Sequence, residues 1–370
     1  MNPPSPLPIF LERTARLQKA IALQPVDRIP VTAWLDSFAA TYRKVPMSVF
    51  TTDLLAANRA MIETVQAFPT LDAIETAVTP PVLMGISFLS RVKLPGRELP
   101  EGSLYQVEEI ERMSLEDYDR ILEQGWPAWN QDYIARRLGY TEAEIGSSIQ
   151  ACGMAGQRLF EAGIPALTSV NYVPPIESIA AARSIGRFMT DLHRVPDKLE
   201  AVLDHMEGFY LEMLKGMIRQ TRPMTVFVGM SRGSSEFFSP RLFNRFTWPT
   251  VVRTVETILD AGSVPNLHFD ANWDRDISRF KDLPKGKCIW ACDHATDIRK
   301  LKAELDGHMC IKGDVPAAML SVGNPDEVYA YCRKLIQDIG PTGFILSPGC
   351  TTPMNCKPEN FKAMLAAVDA

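Results

Sequence analysis

Short apolar runs alternate with amphipathic helical segments along most of this 370-residue chain. Each run is hydrophobic on both faces, which is typical of a strand that is covered on both sides. Eight such runs occur, at residues 29–34, 71–78, 164–173, 224–230, 264–270, 287–293, 308–315 and 343–349. The spacing of apolar residues predicts helices at 11–23, 194–219, 240–262 and 324–339. Eight strands that alternate with helices predict an α/β fold, the (β/α)8 or TIM barrel.

Two segments do not belong to the repeating strand and helix units. The helix at 11–23 precedes the first strand, and the interval at about 86–163 is too long for one unit. We expect this interval to be an insertion that contains a hairpin and then one long helix at 114–138. No linker-like composition divides the chain, so a single domain over residues 1–370 is predicted. A doubly wound open sheet is the alternative, but no Gly-x-Gly-x-x-Gly or Walker motif follows a strand.

The composition excludes several classes of protein. The apolar fraction of 46% supports a large core, and the formal net charge of −5 argues against a nucleic-acid-binding protein. No apolar stretch approaches the length of a membrane span or a signal sequence, so a cytoplasmic protein without membrane association is predicted.

The seven cysteines are odd in number and scattered. They are therefore expected to be free thiols or metal ligands rather than a disulfide framework.

Three residues at predicted strand ends have the chemistry of a metal site. In a barrel of this kind the functional residues lie at the carboxyl ends of the strands. His268 and Asp270 are two residues apart, so both side chains point to the same face of a strand, and Cys350 follows the last predicted strand. A nitrogen, an oxygen and a sulfur ligand suit Zn²⁺ and leave a fourth position open for a reactant. The same mixture disfavours Mg²⁺ and Ca²⁺.

Other interpretations of these residues remain open at this point. His268 could be a hydrogen-bonded structural histidine, Asp270 could cap a following helix, and Cys350 could be a small residue in a buried turn. Cys292 and His294 form a second pair with the same spacing, but a weaker one.

Six segments of the chain form a pattern typical of one known superfamily, at 27–31 (DRIPV), 188–199, 267–274 (LHFDANWD), 310–316 (CIKGDVP), 323–328 and 343–360. Together they resemble the uroporphyrinogen decarboxylase superfamily. They occur in the same order over nearly the whole chain, and the resemblance implies the (β/α)8 barrel fold. True uroporphyrinogen decarboxylases carry an arginine-rich segment of the type RQAGRYLP after the first strand. This sequence has WLDSFAATYRK at 34–44 instead, with an acid at Asp36, so a decarboxylase of haem biosynthesis is not expected.

A second branch of the superfamily comprises the corrinoid-dependent methyltransferases. These enzymes move methyl groups between corrinoid (cobalamin) proteins and acceptors such as coenzyme M or tetrahydrofolate. Members that use a thiol acceptor have a zinc motif of the form His-x-Cys followed much later by Cys. Here His268 and Cys350 match the motif, whereas Asp270 replaces the middle cysteine. A site with one thiolate should be a stronger Lewis acid than a site with two, which favours an oxygen or nitrogen reaction centre.

The resemblance therefore implies a zinc-assisted methyltransferase that acts with a corrinoid-binding partner protein. The expected small-molecule substrate is a methoxylated aromatic compound, which would be O-demethylated, or a folate such as tetrahydrofolate. The candidate catalytic residues at strand ends are Glu236, Asp293, His294 and Asp36, of which the first three could supply a proton. The candidate substrate-binding residues are Trp34, Tyr172, Arg232, Phe237 and Trp273. One rival is a metal-independent decarboxylase of a smaller carboxylated substrate that uses Asp36 and Arg232. Another is a catalytically silent scaffold that binds a corrinoid protein.

Overall fold

Eight parallel strands form a closed barrel in the computed structural model, which describes residues 6–369. The strands are β1 (Thr32–Ala33), β2 (Ala73–Ile74), β3 (Thr168–Tyr172), β4 (Thr225–Met230), β5 (Val264–Phe269), β6 (Ile289–Cys292), β7 (Cys310–Val315) and β8 (Phe344–Pro348). Strands β3 to β8 make one sheet of consecutive neighbours, and β1 pairs with β2. Single parallel bridges, Val31 to Leu346 and Ile74 to Ala166, join the two sheets and close the ring. The predicted (β/α)8 barrel is thus confirmed.

Helices surround the barrel and connect its strands. They are α1 (Pro8–Ile21), α2 (Asp36–Tyr42), α3 (Met47–Thr52), α4 (Leu54–Ala67), α5 (Pro81–Ser87), α6 (Glu116–Gln124), α7 (Trp126–Asp132), α8 (Glu142–Glu161), α9 (Pro175–Arg183), α10 (Ile185–Arg194), α11 (Pro196–Thr221), α12 (Pro240–Leu242), α13 (Trp248–Asp260), α14 (Ile298–Leu305), α15 (Ala317–Val322), α16 (Pro325–Ile339) and α17 (Pro358–Ala366). Tyr133–Leu138 and Phe243–Thr247 are π-helical, and Ile277–Asp282 is a 3-10 helix. Within residues 6–369, no helix is both long and apolar enough to cross a membrane.

The N-terminal helix closes one end of the barrel. Leu17, Ala20 and Ile21 of α1 are buried against inward-facing residues at the starts of five strands. Those five residues are Ala73, Leu167, Ile289, Cys310 and Ile345. This small apolar cluster is separate from the main core between the strands and the outer helices. The helix therefore excludes water from the amino-terminal end of the strands, so the open mouth lies at their carboxyl ends.

The insertion has the predicted position but a different helical structure. A short antiparallel hairpin pairs Val92–Lys93 with Gln106–Val107, as expected. The single long helix predicted over 114–138 is instead divided into α6, α7 and a π-helical turn. Gly125 separates α6 from α7 with a φ of 81°, a backbone conformation that glycine adopts without steric cost. The chain can therefore turn there and bury Trp126 and Trp129.

Candidate metal centre

The structure brings His268, Asp270 and Cys350 together at the mouth of the barrel. His268 is an inward-facing residue of β5, and Asp270 follows directly after the end of that strand. Cys350 lies two residues after the end of β8. One ligand atom from each of the three lies within 4.8 Å of the other two. Residues that are 80 positions apart in sequence are neighbours because parallel strands present their carboxyl ends on one side of the barrel.

The geometry of this cluster fits a metal ion better than a set of structural hydrogen bonds. His268 Nε2 is buried and has no hydrogen-bond partner within residues 6–369. Asp270 Oδ1 lies 3.3 Å from this nitrogen, and the ligand–ligand edge of a tetrahedral zinc site with these donors is about 3.4 Å. A buried polar atom that makes no hydrogen bond of good geometry is better satisfied by an ion. The donor set and the short distance between His268 Nε2 and Asp270 Oδ1 thus both accommodate Zn²⁺.

The charges in the cluster also favour a cation between the three side chains. Burial acts to lower the pKa of His268, but close contact with Asp270 and Cys350 outweighs burial and raises that pKa to about 10. Burial likewise acts to raise the pKa of the Cys350 thiol, and His268 outweighs it, so the thiol pKa is lowered. In the metal-free protein the contacts with Asp270 and Cys350 thus favour a proton on His268. Zinc would take the place of that proton, since metal binding releases protons from its ligands.

Nearby groups hold the ligands in position. The indole Nε1 of Trp273 donates a 2.8 Å hydrogen bond to the backbone oxygen of Asp270, and Asp270 N donates to Met230 O at 2.9 Å. Before Cys350, the chain passes so close to Asp293 that a Cβ on Gly349 would lie 2.8 Å from the Asp293 backbone oxygen. Glycine at this position therefore allows Cys350 to reach the site. Asp270 does not cap a helix, because the next helical segment begins only at Ile277.

A cleft lies against the cluster of His268, Asp270 and Cys350 inside the mouth of the barrel. The enclosed free space in it is about 10 Å³, and the atom-free space rises to about 240 Å³ when the open mouth is included. The lining residues are Trp34, Glu75, Phe227, His268, Lys312, Ser347, Pro348, Gly349 and Cys350. The Phe227 ring lies edge-on to Trp34 with centroids 5.4 Å apart, and its centroid is 5.3 Å from that of His268. The cleft therefore has an aromatic wall beside the candidate metal ligands.

Three lining residues that were not predicted as site residues, Glu75, Phe227 and Lys312, shape the cleft with their side chains. Lys312 Nζ donates to Glu75 Oε2 at 2.5 Å, and Glu75 Oε1 accepts a 2.7 Å bond from Asn266 Nδ2. Both ionised side chains are almost completely buried. Phe227 could have been found from its strand, because Gly229 is two residues further along the same face and a strand glycine often marks a close approach. Nothing in the sequence indicates the pairing of Lys312 with Glu75.

Two of the predicted catalytic residues are partly or fully buried, and one of them, Asp293, contacts the segment that follows Asp270. Asp293 is half-buried, and its carboxylate accepts hydrogen bonds from Ala271 N and Ala295 N. Burial and then the charge of Asp270 raise its pKa. Asp36 is buried at the start of α2 and accepts a 2.7 Å bond from Tyr105 Oη of the insertion. Burial raises the pKa of Asp36 to about 6.

Other predicted site residues lie outside the cleft. Glu236 is exposed and accepts a bond from Asn272 N. The exposed His294 contacts the buried carboxylate of Asp314 through Nδ1 at 3.1 Å. The guanidinium of Arg232 lies over the Phe88 ring, and Phe237 is exposed. None of these four side chains lines the cleft, so their predicted roles have no support from its geometry.

Two predicted substrate-binding aromatic residues are core residues instead, which corrects the expectation that they line the site. Tyr172 is 3% exposed and packs between the barrel and the outer helices. Trp273 is completely buried and stacks on Phe269 with centroids 4.5 Å apart. Both lie near strand ends, but their side chains point away from the barrel axis into the outer core. Trp34 is the predicted aromatic residue that does line the cleft.

Comparison with known proteins identifies the family of this chain. A family model described as uroporphyrinogen decarboxylase (URO-D) matches residues 176–370, which is more than half of the chain. The structure of a methyltransferase from Methanosarcina mazei is similar, with a TM-score of 0.75 and 17% identity, over 96% of this chain and 98% of that chain. At this identity the similarity shows the fold. A search of curated proteins found no match.

A second solved structure is only distantly similar. It is a B12-independent methionine synthase from Shewanella sp. W3-18-1 in complex with selenomethionine. It has a TM-score of 0.38 and 10% identity over 56% of this chain and 60% of that chain. This score is too low to support an argument about fold or function.

Proposed function

The chain belongs to the uroporphyrinogen decarboxylase family, and we propose that it acts within that family as a zinc-assisted, corrinoid-dependent methyltransferase. Its small-molecule reactant is a methoxylated aromatic compound, with a folate such as tetrahydrofolate as the alternative. The methyl group passes between this compound and a corrinoid that a partner protein carries. His268, Asp270 and Cys350 hold the metal, and the cleft beside them holds the reactant.

The observation that carries this proposal is the convergence of three unlike ligands on one point. The single nitrogen His268 Nε2 faces Asp270, and the Cys350 sulfur lies within 4.8 Å of the same group. A catalytic triad in which histidine relays a proton from cysteine would need the carboxylate on the opposite ring nitrogen. The observed arrangement is therefore better suited to binding a metal. Zinc, when bound, supplies a Lewis acid that polarises an oxygen or nitrogen of the reactant.

The side chains of this chain supply the remaining functions. Trp34 and Phe227 form an apolar wall for a flat ring, and they limit the water beside the reacting group. The neighbouring methyltransferase of Methanosarcina mazei supports a methyl-transfer reaction over other reactions known for this fold. Asp293 lies beside the ligand cluster with a raised pKa, so we assign it to proton exchange with the reactant.

The rival decarboxylase function has less support from the observed contacts. That function needs cationic groups that face the substrate carboxylates. Arg232 is instead held over Phe88 and near Glu177, and the one ammonium in the cleft, Lys312, is neutralised by Glu75. A silent scaffold is also disfavoured, because a binding surface does not require a buried imidazole nitrogen that converges with a thiol and a carboxylate.

Metal content and methyl transfer test the proposal together. Elemental analysis of the purified protein should find close to one zinc per chain, and methylation of a reduced corrinoid by a methoxylated aromatic compound should be visible in the corrinoid spectrum. His268→Ala, Asp270→Ala and Cys350→Ser should each weaken zinc binding by about 10-fold or more while the fold persists. Each should reduce methyl transfer in parallel.

Cys356→Ser is the matched control, since this cysteine is buried at a distance from the cleft and contacts Lys357 O. It should keep both zinc and activity. Full methyl-transfer activity in a metal-free preparation would contradict the assignment of a metal to this site. If Asp270→Ala alone retained zinc, the third ligand would have to come from another residue, with Asp293 the first to examine. Efficient conversion of uroporphyrinogen would instead assign the protein to the decarboxylases.

A further inference from the structure

Lys312 is a buried cation whose hydrogen-bonding capacity is only partly used. Its side chain is 8% exposed and lines the cleft. An ammonium group has three N–H donors, yet Glu75 Oε2 is the one hydrogen-bond acceptor for Nζ within residues 6–369. Buried ions are stable when further hydrogen bonds satisfy their remaining protons. The two remaining donors therefore require acceptors from the contents of the cleft.

The strand register places Lys312 in the same layer of the barrel as the metal cluster. His268 on β5 is paired in register with Ala291 on β6, and Ala291 is paired with Lys312 on β7. Strands β5 and β7 are separated by β6, so their backbones lie about 10 Å apart. A lysine side chain and a small ligand together can span this distance. The space between Lys312 and the candidate metal ligands is therefore short enough for one small polar group to lie within reach of both.

The charge balance restricts what Lys312 can bind. Glu75 already compensates its positive charge, and Asn266 fixes the other oxygen of that carboxylate. Because Glu75 compensates most of its charge, Lys312 attracts an anion only weakly over a distance and acts mainly through its two free N–H donors. The aromatic wall of Trp34 and Phe227 also favours an uncharged body. The cleft is therefore suited to a neutral molecule with an acceptor oxygen, such as an ether or a phenol.

We propose that Lys312, oriented by Glu75, binds the ether oxygen of the reactant and stabilises the negative charge that forms there when the methyl group leaves. This inference rests on the proposed methyl transfer and specifies its substrate as an aryl methyl ether. The bond between carbon and oxygen breaks, and both of its electrons remain on the oxygen as a phenolate. The electron pair for the new bond to carbon comes from the reduced corrinoid acceptor. The ether oxygen is neutral before the reaction and becomes negatively charged as the methyl group leaves. The contact between Lys312 and this oxygen therefore becomes stronger as the reaction proceeds.

Binding of 4-nitrophenol tests this subsite without any turnover. This phenol has different spectra when protonated and when ionised, so its pKa can be titrated while it is bound. In the wild-type protein, after removal of metal with a chelator, Lys312 should lower the pKa of the bound phenol by roughly one unit or more. Lys312→Met should abolish that shift. Glu75→Gln should enlarge it, since the ammonium then lacks its compensating charge.

Two further variants keep the test decisive. Lys334→Met removes an exposed lysine of α16 and should leave the phenol titration unchanged. The double variant Glu75→Gln/Lys312→Met leaves no unpaired buried charge, so it reports on the subsite if Lys312→Met alone does not fold. Equal pKa shifts in the wild type and this double variant, or no binding by the wild type, would overturn the inference. Absence of methyl transfer with an intact Lys312-dependent shift would reject only the proposed function.

Discussion

Asp36 shows at the scale of one residue how its environment controls the charge of a side chain. Its carboxyl is 2% exposed, and the hydroxyl of Tyr105 is its hydrogen-bond donor within residues 6–369. No cation contacts it in that range, so burial is the main cause of its raised pKa, about 6. The Tyr105 bond opposes this shift because it stabilises the ionised form. Asp36 is thus an acid that titrates close to neutral pH.

This environment predicts a dependence of stability on pH. A carboxyl whose pKa is higher in the folded state binds more protons there, so stability falls as pH rises from about 4 to about 6. Asp36→Asn should remove this loss, and at pH 7 it should increase the free energy of unfolding by up to about 3 kcal/mol. Urea unfolding at pH 4 and pH 7 measures the effect. Tyr105→Phe should act in the opposite direction at pH 7, and equal pH profiles for Asp36→Asn and the wild type would contradict the prediction.

At the scale of secondary-structure elements, the packing of β4 shapes the cleft. Phe227 and Gly229 share one face of this strand, and the Phe227 ring occupies the space above Gly229. That position brings the ring against Trp34 on one side and His268 on the other. Because Gly229 has no side chain, the Phe227 ring can occupy this position and form part of the aromatic wall of the cleft.

Gly229→Ala tests this arrangement. The added Cβ would lie 2.8 Å from Phe227 Cε1, so the ring must move. We expect a loss of about 1–3 kcal/mol in the free energy of unfolding together with weaker binding of a phenol in the cleft. Gly156→Ala in α8 is the control, because its added Cβ meets no atom within 4 Å, and it should stabilise the helix by up to about 1 kcal/mol. The prediction fails if the two alanine variants change stability in the same direction.

At the scale of the whole molecule, a buried ionic network ties α1 to the closure of the barrel. Asp72 is completely buried. Its carboxylate pairs with Arg16 of α1 at 2.5 Å and with Arg28 at 2.8 Å, and it accepts a bond from Val31 N. Asp27 also pairs with Arg16. The segment DRIPV, which contributes to the family resemblance, therefore helps to join the N-terminal helix to β1 and β2.

Removal of this carboxylate should weaken the fold without affecting the metal site. Asp72→Ala leaves Arg16 buried with only its two more exposed partners, and breaking a buried pair in this way costs about 3–5 kcal/mol. Chemical unfolding should show this loss, whereas the zinc content should stay near that of the wild type, because the network lies at the opposite end of the barrel. Asp132→Ala, which breaks an exposed pair with Arg136, should cost less than about 1 kcal/mol. Loss of zinc in a folded Asp72→Ala variant would show that the two ends are coupled.

The sequence by itself determined the fold and the three candidate ligands. Eight apolar runs separated by helical segments specify a barrel, because each strand must be covered on both faces. The alternation of side chains along a strand places His268 and Asp270 on one side, and the end of the last strand adds Cys350. These are local patterns with periods of two or 3.6 residues, so they can be recognised without knowledge of the neighbouring strands. The prediction of one domain over the whole chain stays a prediction.

Only the tertiary structure decided which strand-end side chains meet in the cleft. Tyr172 and Trp273 point to the outer core although both lie near strand ends, and the break at Gly125 depends on how the insertion packs. Glu75 and Lys312 are 237 residues apart, and they pair because the closed barrel directs both side chains inward at one level. Partners across a barrel depend on strand tilt and register, which no short stretch of sequence encodes. The three candidate metal ligands were therefore predictable from the sequence, whereas the buried pair of Lys312 and Glu75 beside them was not.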